Sequence, residues 1–487
     1  PKNNDDRMMK RNIFSIVMLL ASAVLCTSCL NSDNDFVYDD DAAITAFTLG
    51  NINQTFFCKT KDGLRDSSYV KSVDFSSVKM TIDHLGGRIF NADSLPLGCN
   101  ITKVLATAST RNSGMVGIKN VDSDTTRIFS STDSVDYTKP RELIVYSNST
   151  LSNHKYKVTL NVHKEDGDKF VWTKLNNNTT EVGISALKDM RMVALPNNQL
   201  VLAGTDGTAT RLYTSADGSN WSQTTPATLD ANAYQNLMTD GENALFISGS
   251  YLYATTDGKS WTWTATTQKQ LVAASTKLLV AYDAEGALNS SADNGQTWTK
   301  EDIDANEAAY LPSLNISSAT QALITNKDSY RLIMQGSRDV NTYSADTANV
   351  VWTKVIDPND NTQPWICYYG PDSQAKYRLP RLAHLQMANS DLGLVAFGGK
   401  GLGACKKEAH KMFWNSSDKG LTWQEDTVVT VPTDFQCSDD ALAFTIDANN
   451  YVWLVCGNSG QVWRGRLNRL GWATRQDIFE WRDDKNK

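Results

Sequence analysis

Ser215-Ala216-Asp217-Gly218-Ser219-Asn220-Trp221, Thr255-Thr256-Asp257-Gly258-Lys259-Ser260-Trp261, Ser291-Ala292-Asp293-Asn294-Gly295-Gln296-Thr297-Trp298 and Ser416-Ser417-Asp418-Lys419-Gly420-Leu421-Thr422-Trp423 are four versions of one phrase. In each, a hydroxyl residue stands two places before an Asp, a Gly follows within two positions, and a Trp closes the phrase. These residue types suit a tight turn between strands. Asp accepts backbone N–H groups inside the turn, Gly supplies positive φ, and Trp opens the next strand and packs between neighbouring sheets. Each copy follows a β-rich run such as Tyr251-Leu252-Tyr253. A degenerate fifth copy runs from Ser344-Ala345-Asp346 to Trp352, and Arg464 to Trp472 takes a sixth place without the Asp.

With Trp172 as first marker, successive Trp residues stand at 172, 221, 261, 298, 352, 423 and 472, at intervals of 49, 40, 37, 54, 71 and 49 residues. Spacings near these suit four-stranded propeller blades. The count implies six blades, or seven if the interval of 71 hides a degenerate one. A single strand set within 382–388, 392–397 and 411–415 favours one blade with insertions, and Lys169 to Leu175 is expected to close the ring. The phrases resemble Asp boxes, S/T-x-D-(x)-G-x-x-W, the resemblance resting on Asp217, Trp221, Asp257, Trp261, Asp293, Trp298, Asp418 and Trp423. Asp-box (BNR-like) propellers include sialidases, sortilin-type receptors and assembly factors. The whole layout is similar to that of a family of Bacteroidetes surface lipoproteins. The resemblance implies a fold and leaves activity open, because Asp boxes sit on the turn between third and fourth strands, usually opposite the ligand face.

Upstream, Met9-Lys10-Arg11 precedes an apolar run of 13 residues, Ile13 to Leu25, too short to span a bilayer and suited to an export signal. Residues before Met8 or Met9 are read as upstream or non-native. Leu25-Cys26-Thr27-Ser28-Cys29 resembles a bacterial lipobox, which makes residues 1–28 a signal peptide and Cys29 the lipidated N-terminus, with Cys26 where that motif usually has Leu. Residues 29–41 then form an acidic tether resembling a surface-export signal. The expected location is the outer membrane, lipid-anchored and facing the exterior. Residues 42–165 alternate apolar and polar side chains, with Val78, Met80 and Ile82, then Leu143 and Val145, then Tyr156, Val158, Leu160 and Val162 each on one face. An immunoglobulin-like β-sandwich is expected there, followed by the propeller over 166–487, an all-β chain throughout.

At 487 residues, 41% apolar and 21% charged, the chain is long enough for more than one core and too apolar to be disordered. Beyond Cys29 it carries 43 basic and 52 acidic residues, net −9, which disfavours nucleic acid as a partner. Six cysteines remain for disulfides: Cys58 with Cys99, Cys367 with Cys405, and Cys437 with Cys456 are the expected pairs, crossed pairing such as Cys405 with Cys437 being the rival. They include no CxxC, and His154 and His163 fall on opposite faces of a strand, so neither metal nor cofactor is expected.

Ligands are expected on the face shared by blade-to-blade connections and second-to-third-strand loops. Two long insertions, 357–380 of the first kind and 398–410 of the second, are expected there. The first carries Trp365, Tyr368, Tyr369 and Tyr377, rings of the type that stack on sugars or bury at interfaces. Tyr377-Arg378-Leu379-Pro380 resembles the [FY]RIP motif of sialidases, whose Arg binds a carboxylate, but it follows the first boxes instead of preceding them. His384 and His410 are isolated, with core or rim roles expected. The leading expectation is a non-catalytic surface protein binding a glycan or protein ligand. The alternative is a carbohydrate-active enzyme, a sialidase-like glycoside hydrolase using Arg378 and acids among Asp357, Asp360, Asp372, Asp434, Asp439 and Asp440.

Overall fold

The computed structural model describes residues 38–472 except 62–64, 122, 324–325, 327, 361–362, 372, 374, 392 and 439–440. Cys29 and the signal segment lie outside the described residues, as do Asp372, Asp439 and Asp440. The chain divides into two compact units, the first ending at Lys164 and the second spanning Glu165–Ala473.

The first unit is built of strands around one core in which Leu143, Val145, Tyr156 and Val158 are buried with Ile44, Ile89 and Ile118. Its strands form a six-stranded sheet, a two-stranded sheet of Ile44–Leu49 with Ala106–Thr110, and a hairpin of Asn51–Lys59 with Asp66–Asp74. The six-stranded sheet contains a parallel pair, Lys157–Thr159 beside Arg88–Phe90. This differs from the two antiparallel sheets of an immunoglobulin-like sandwich. Period-two alternation reports which residues face a core, not which strands pair, and that is why the burial pattern was legible and the sheet order was not.

Among the described residues the second unit holds six four-stranded antiparallel sheets. Their innermost strands are Asp189–Ala194, Met238–Thr239, Gln270–Ser275, Leu314–Ala322, Gln386–Ser390 and Leu442–Ile446 (sheets 1 to 6). Each lies against the next, and that of sheet 6 against that of sheet 1, so the sheets stand in a ring as in a β-propeller. The fourth strand of sheet 6 comes from the other end of the unit: Phe170–Leu175 pairs antiparallel with Val462–Leu467, with Trp172 opposite Gly465. Backbone hydrogen bonds thus join the two ends of the unit.

The four Asp phrases occupy the third-to-fourth-strand turns of sheets 1, 2, 3 and 5. In the first, Asp217 Oδ1 accepts the N–H groups of Ser219 and Asn220 at 2.8 Å each, and the Trp221 indole N–H donates to the Gly218 carbonyl at 2.9 Å. Gly218 has φ +73°, and a Cβ there would overlap the Trp453 ring of sheet 6, so the turn needs glycine for its backbone and for its neighbour. Trp221 lies in one core with Trp453 and Val455 of sheet 6 and Met190 and Leu202 of sheet 1. The turn is therefore also a wedge between adjacent sheets.

Two corrections follow in sheet 4. Ser344-Ala345-Asp346 is not a turn of this kind; it lies between the second strand, Tyr330–Ser337, and the third, Val350–Ile356, where Asp346 accepts the Nε–H and Nη2–H of Arg338 at 2.9 Å each. Trp352 is in the third strand, and the Trp at the mouth of the fourth strand, Ile366–Tyr369, is Trp365. Trp472 likewise is not in a sheet; it follows the last strand and covers Gly167.

These turns are expected to make the propeller less stable in acid. The N–H groups of Ser260 and Lys259 hold the Asp257 carboxyl at about 2, and the Thr297 hydroxyl and N–H hold Asp293 at about 2. Carboxyls lowered by folding add stability that is complete above the unfolded value of about 4 and is lost as the pH falls toward 2. In scanning calorimetry the Tm gap between the parent and Asp293→Asn is expected to be full above about pH 5 and to shrink steadily as the pH falls through about 2. A gap unchanged over that range would remove the carboxylate from the account.

Candidate functional site

Innermost strands all start at one end of the ring, so the connections into each sheet and the second-to-third-strand loops gather there. At that end a cavity of about 220 Å³ opens at the mouth of the central channel. Asp189 starts the inner strand of sheet 1, Tyr234 and Gln235 lie on the connection into sheet 2, Asn315 belongs to sheet 4, and His384 precedes sheet 5. Asp189 Oδ2 accepts the Tyr234 hydroxyl at 2.6 Å and faces His384 Nδ1 at 2.8 Å, while Oδ1 accepts the Met190 N–H at 2.8 Å. Burial, and then Asp189, push the Tyr234 phenol well above its ordinary range, so it acts as a donor. His384 holds φ +50°, a left-handed conformation uncommon for residues with a Cβ and the kind of local strain that gathers at working sites.

Below the mouth lies Arg191, 7% exposed, whose guanidinium donates to the Gln235 carbonyl at 2.6 Å and the Ser317 hydroxyl at 2.7 Å. Burial lowers its pKa to about 10 against the pull of Asp189. The floor is Gln386. Its amide N–H groups donate to Met190 O at 3.3 Å and Leu442 O at 3.0 Å, and its Oε1 accepts from Met192 N at 3.2 Å and Phe444 N at 3.1 Å. One side chain of sheet 5 thereby ties the inner strands of sheets 1 and 6. Among the lining residues Asp189 is the one carboxylate.

The aromatic residues expected to bind ligand are dispersed. Segment 357–380 is not one connection: 357–365 is the third-to-fourth-strand turn at the opposite end, 366–369 is the fourth strand, and only the remainder runs toward sheet 5. Trp365, 2% exposed, belongs to the core of sheets 2 to 4 with Trp352 and Leu279, so it is packing and not a ligand platform. Tyr368 and Tyr369 stand on the outermost strand, away from the channel, their rings 4.7 Å apart. Tyr377 is exposed and Arg378 half-buried, its guanidinium donating to the carbonyls of Ser373 at 3.2 Å and Asn349 at 2.5 Å. Those bonds make Arg378 a brace between loops, where the sialidase resemblance implied a carboxylate ligand. Of the acids, Asp357 accepts from Asn326 at 2.7 Å and caps its own turn.

Among the described residues Cys58, Cys99, Cys367, Cys405, Cys437 and Cys456 carry no disulfide bond. Cys58 and Cys99 are not placed to bridge: Gln54 pairs with Cys99, so Cys58, four residues on, stands about 13 Å away along an extended strand. A disulfide needs Cα atoms within about 7 Å. Cys367 lies not in a connection but on the fourth strand of sheet 4, opposite Trp352, and burial pushes its thiol up to about 12. Cys437 hydrogen-bonds the buried Cys456, whose pKa burial and that neighbour raise.

Reading the sequence missed Asp189, Arg191, Tyr234 and Asn315, and left His384 as core or rim. They form no contiguous motif. The one available signal was position, since Asp189 starts an inner strand and Tyr234 and His384 stand shortly before one.

Among solved structures, the chain is similar to an auxiliary nutrient binding protein from Bacteroides ovatus (11% identity, 75% of this chain and 94% of that chain, TM-score 0.39). It is also similar to a protein of unknown function from Bacteroides thetaiotaomicron (11%, 75% and 94%, TM-score 0.38) and to YCF48 from Cyanidioschyzon merolae (13%, 61% and 98%, TM-score 0.32). Likeness at this level carries neither ligand nor activity to this chain. No curated protein matches it. The family model described as the DUF6242 beta propeller domain matches residues 166–475 and that of the DUF6242 N-terminal domain, a domain of unknown function, matches 47–160, so the chain belongs to the DUF6242 family.

Proposed function

We propose that this protein is a non-catalytic binding protein of the bacterial surface, an Asp-box propeller of six blades held at the outer membrane by a lipid on Cys29. Its channel mouth would take a glycan or protein ligand. The lipobox-like Leu25 to Cys29 and the acidic stretch behind it support the anchor and the outward face. The observation that carries the binding reading is the convergence at the mouth of Asp189, Tyr234, Asn315 and His384 from four parts of the ring, around one carboxylate already engaged by three donors. Glycoside hydrolysis by a carboxylate pair needs two acids about 5 to 9 Å apart, so a single engaged acid favours the binder over the hydrolase.

A screen of the whole chain on glycan and peptide arrays, with hydrolysis assays on each hit, tests this. Tyr234→Phe removes one hydroxyl and keeps the ring. It is expected to weaken binding by about 1 to 2 kcal/mol, or fivefold to thirtyfold, and to lower stability by about 1 kcal/mol through the lost hydrogen bond to Asp189, so affinity is compared at a temperature where both proteins are folded. Turnover of a hit, abolished by Asp189→Asn, would replace the binder with an enzyme.

A further inference from the structure

Three connections at the channel-mouth end, 338–349, 370–385 and 398–413, are stitched by backbone bonds. Asn349 N donates to Leu379 O at 3.0 Å, Leu402 N to Arg381 O at 2.9 Å and Ala404 N to Ser344 O at 2.8 Å. Buried Arg381 donates to Tyr343 O at 2.5 Å and to Arg338 O, tying the same segments from beneath. On the outer flank of this platform lies a trough of about 850 Å³, walled by Ser373, by Ala375 to Arg378, by Pro380, by 404–407 and by the fourth strand of sheet 5, Gln424–Glu425.

Its charge is one-sided. Lys376, Arg378, Lys406 and Lys407 line it against one acid, Glu425, which Lys407 engages at 2.9 Å. That excess of positive charge sits on a chain whose net charge is −7, so it is a local departure from an acidic surface. Its long-range pull is confined to about 10 Å at ordinary salt. The bonds to Ser373 O and Asn349 O fix Arg378, whereas Lys376 and Lys406 are exposed. Tyr377, 46% exposed, presents its ring among these cations, with Lys376 Nζ 5.1 Å from its centroid.

We propose that this trough binds an acidic polysaccharide, one whose sugars carry carboxylate or sulfate groups. A sugar's C–H face packs on an exposed phenol ring while an anionic substituent reaches the neighbouring ammonium groups, the arrangement Tyr377 and Lys376 present. An extended acidic peptide fits less well, because peptides dock on sheets by adding a strand, and the bordering strand is two residues long. The site is separate from the channel mouth and stands whether or not the mouth takes a ligand.

The test is affinity electrophoresis and biolayer interferometry of the whole chain against polygalacturonate, chondroitin sulfate, dextran and double-stranded DNA. Binding to polygalacturonate, to chondroitin sulfate or to both is expected, and the two arms separate a carboxylate preference from a sulfate preference. Dextran should not bind. The complex should weaken as salt rises, Lys376→Ala with Lys406→Ala should cost at least tenfold, and Tyr377→Ala at least fivefold while Tyr377→Phe is near parent. All three side chains are exposed, so Tm should stay at the parent value, and Tyr234→Phe should leave this binding intact. Failure of both acidic polymers to bind, equal binding of dextran, or DNA binding as tightly with no effect of Tyr377→Ala would each overturn the proposal.

Discussion

Trp365→Ala is expected to destabilise the propeller unit by about 3–5 kcal/mol, the cost of emptying a large buried aromatic site. The indole stands where Trp221, Trp261, Trp298 and Trp423 stand in sheets 1, 2, 3 and 5, at the start of a fourth strand, and is 2% exposed. It packs with Trp352 of its own sheet and Leu279 of sheet 3, so its loss opens the joint between two sheets instead of roughening a surface. Tyr368→Ala, three residues on and 46% exposed, should change stability by no more than about 0.5 kcal/mol. Urea denaturation followed by tryptophan fluorescence distinguishes the two. A Trp365→Ala protein with the parent midpoint and weakened ligand binding would restore Trp365 to the ligand face.

Gln386→Leu is expected to cost about 4 kcal/mol, from four buried backbone groups left without partners at about 1 kcal/mol or more each. The affected groups are the N–H of Met192 and Phe444 and the carbonyls of Met190 and Leu442, on the inner strands of sheets 1 and 6. Leucine is close in size, so lost hydrogen bonds, not a cavity, dominate the change. The same side chain floors the channel-mouth cavity, so ligand binding there should fall with stability. Amide hydrogen exchange at Met192 and Phe444 reads the effect directly: protection should drop at both positions in Gln386→Leu. Unchanged protection would mean the ring holds these strands without the glutamine.

Much of the propeller was legible because its turns are local chemistry. An Asp that caps two N–H groups, a Gly at positive φ and a Trp that opens a strand all act within eight residues, so four copies announce four third-to-fourth-strand turns. Sheet 4 broke the pattern since its Trp is retained at 365 while the turn before it lacks the Asp–Gly chemistry. Trp352, on the preceding strand, then took its place in the spacing. The same slip put 357–365 on the wrong end of the ring.

By itself the sequence determined what depends on near neighbours: strand-rich units, four capped turns, the closing strand around Trp172, and which side chains of 143–162 face a core. Everything that depends on which strands meet was settled in the folded molecule. The mixed pairing of the first unit, the brace made by Arg378, the separation of Cys58 from Cys99 and the meeting of Asp189, Tyr234 and His384 join residues far apart in the chain. Backbone hydrogen bonds between strands are the same for every residue but proline, so local sequence cannot specify them. The channel mouth exists only once six sheets have closed on one another and brought the starts of their inner strands to one end.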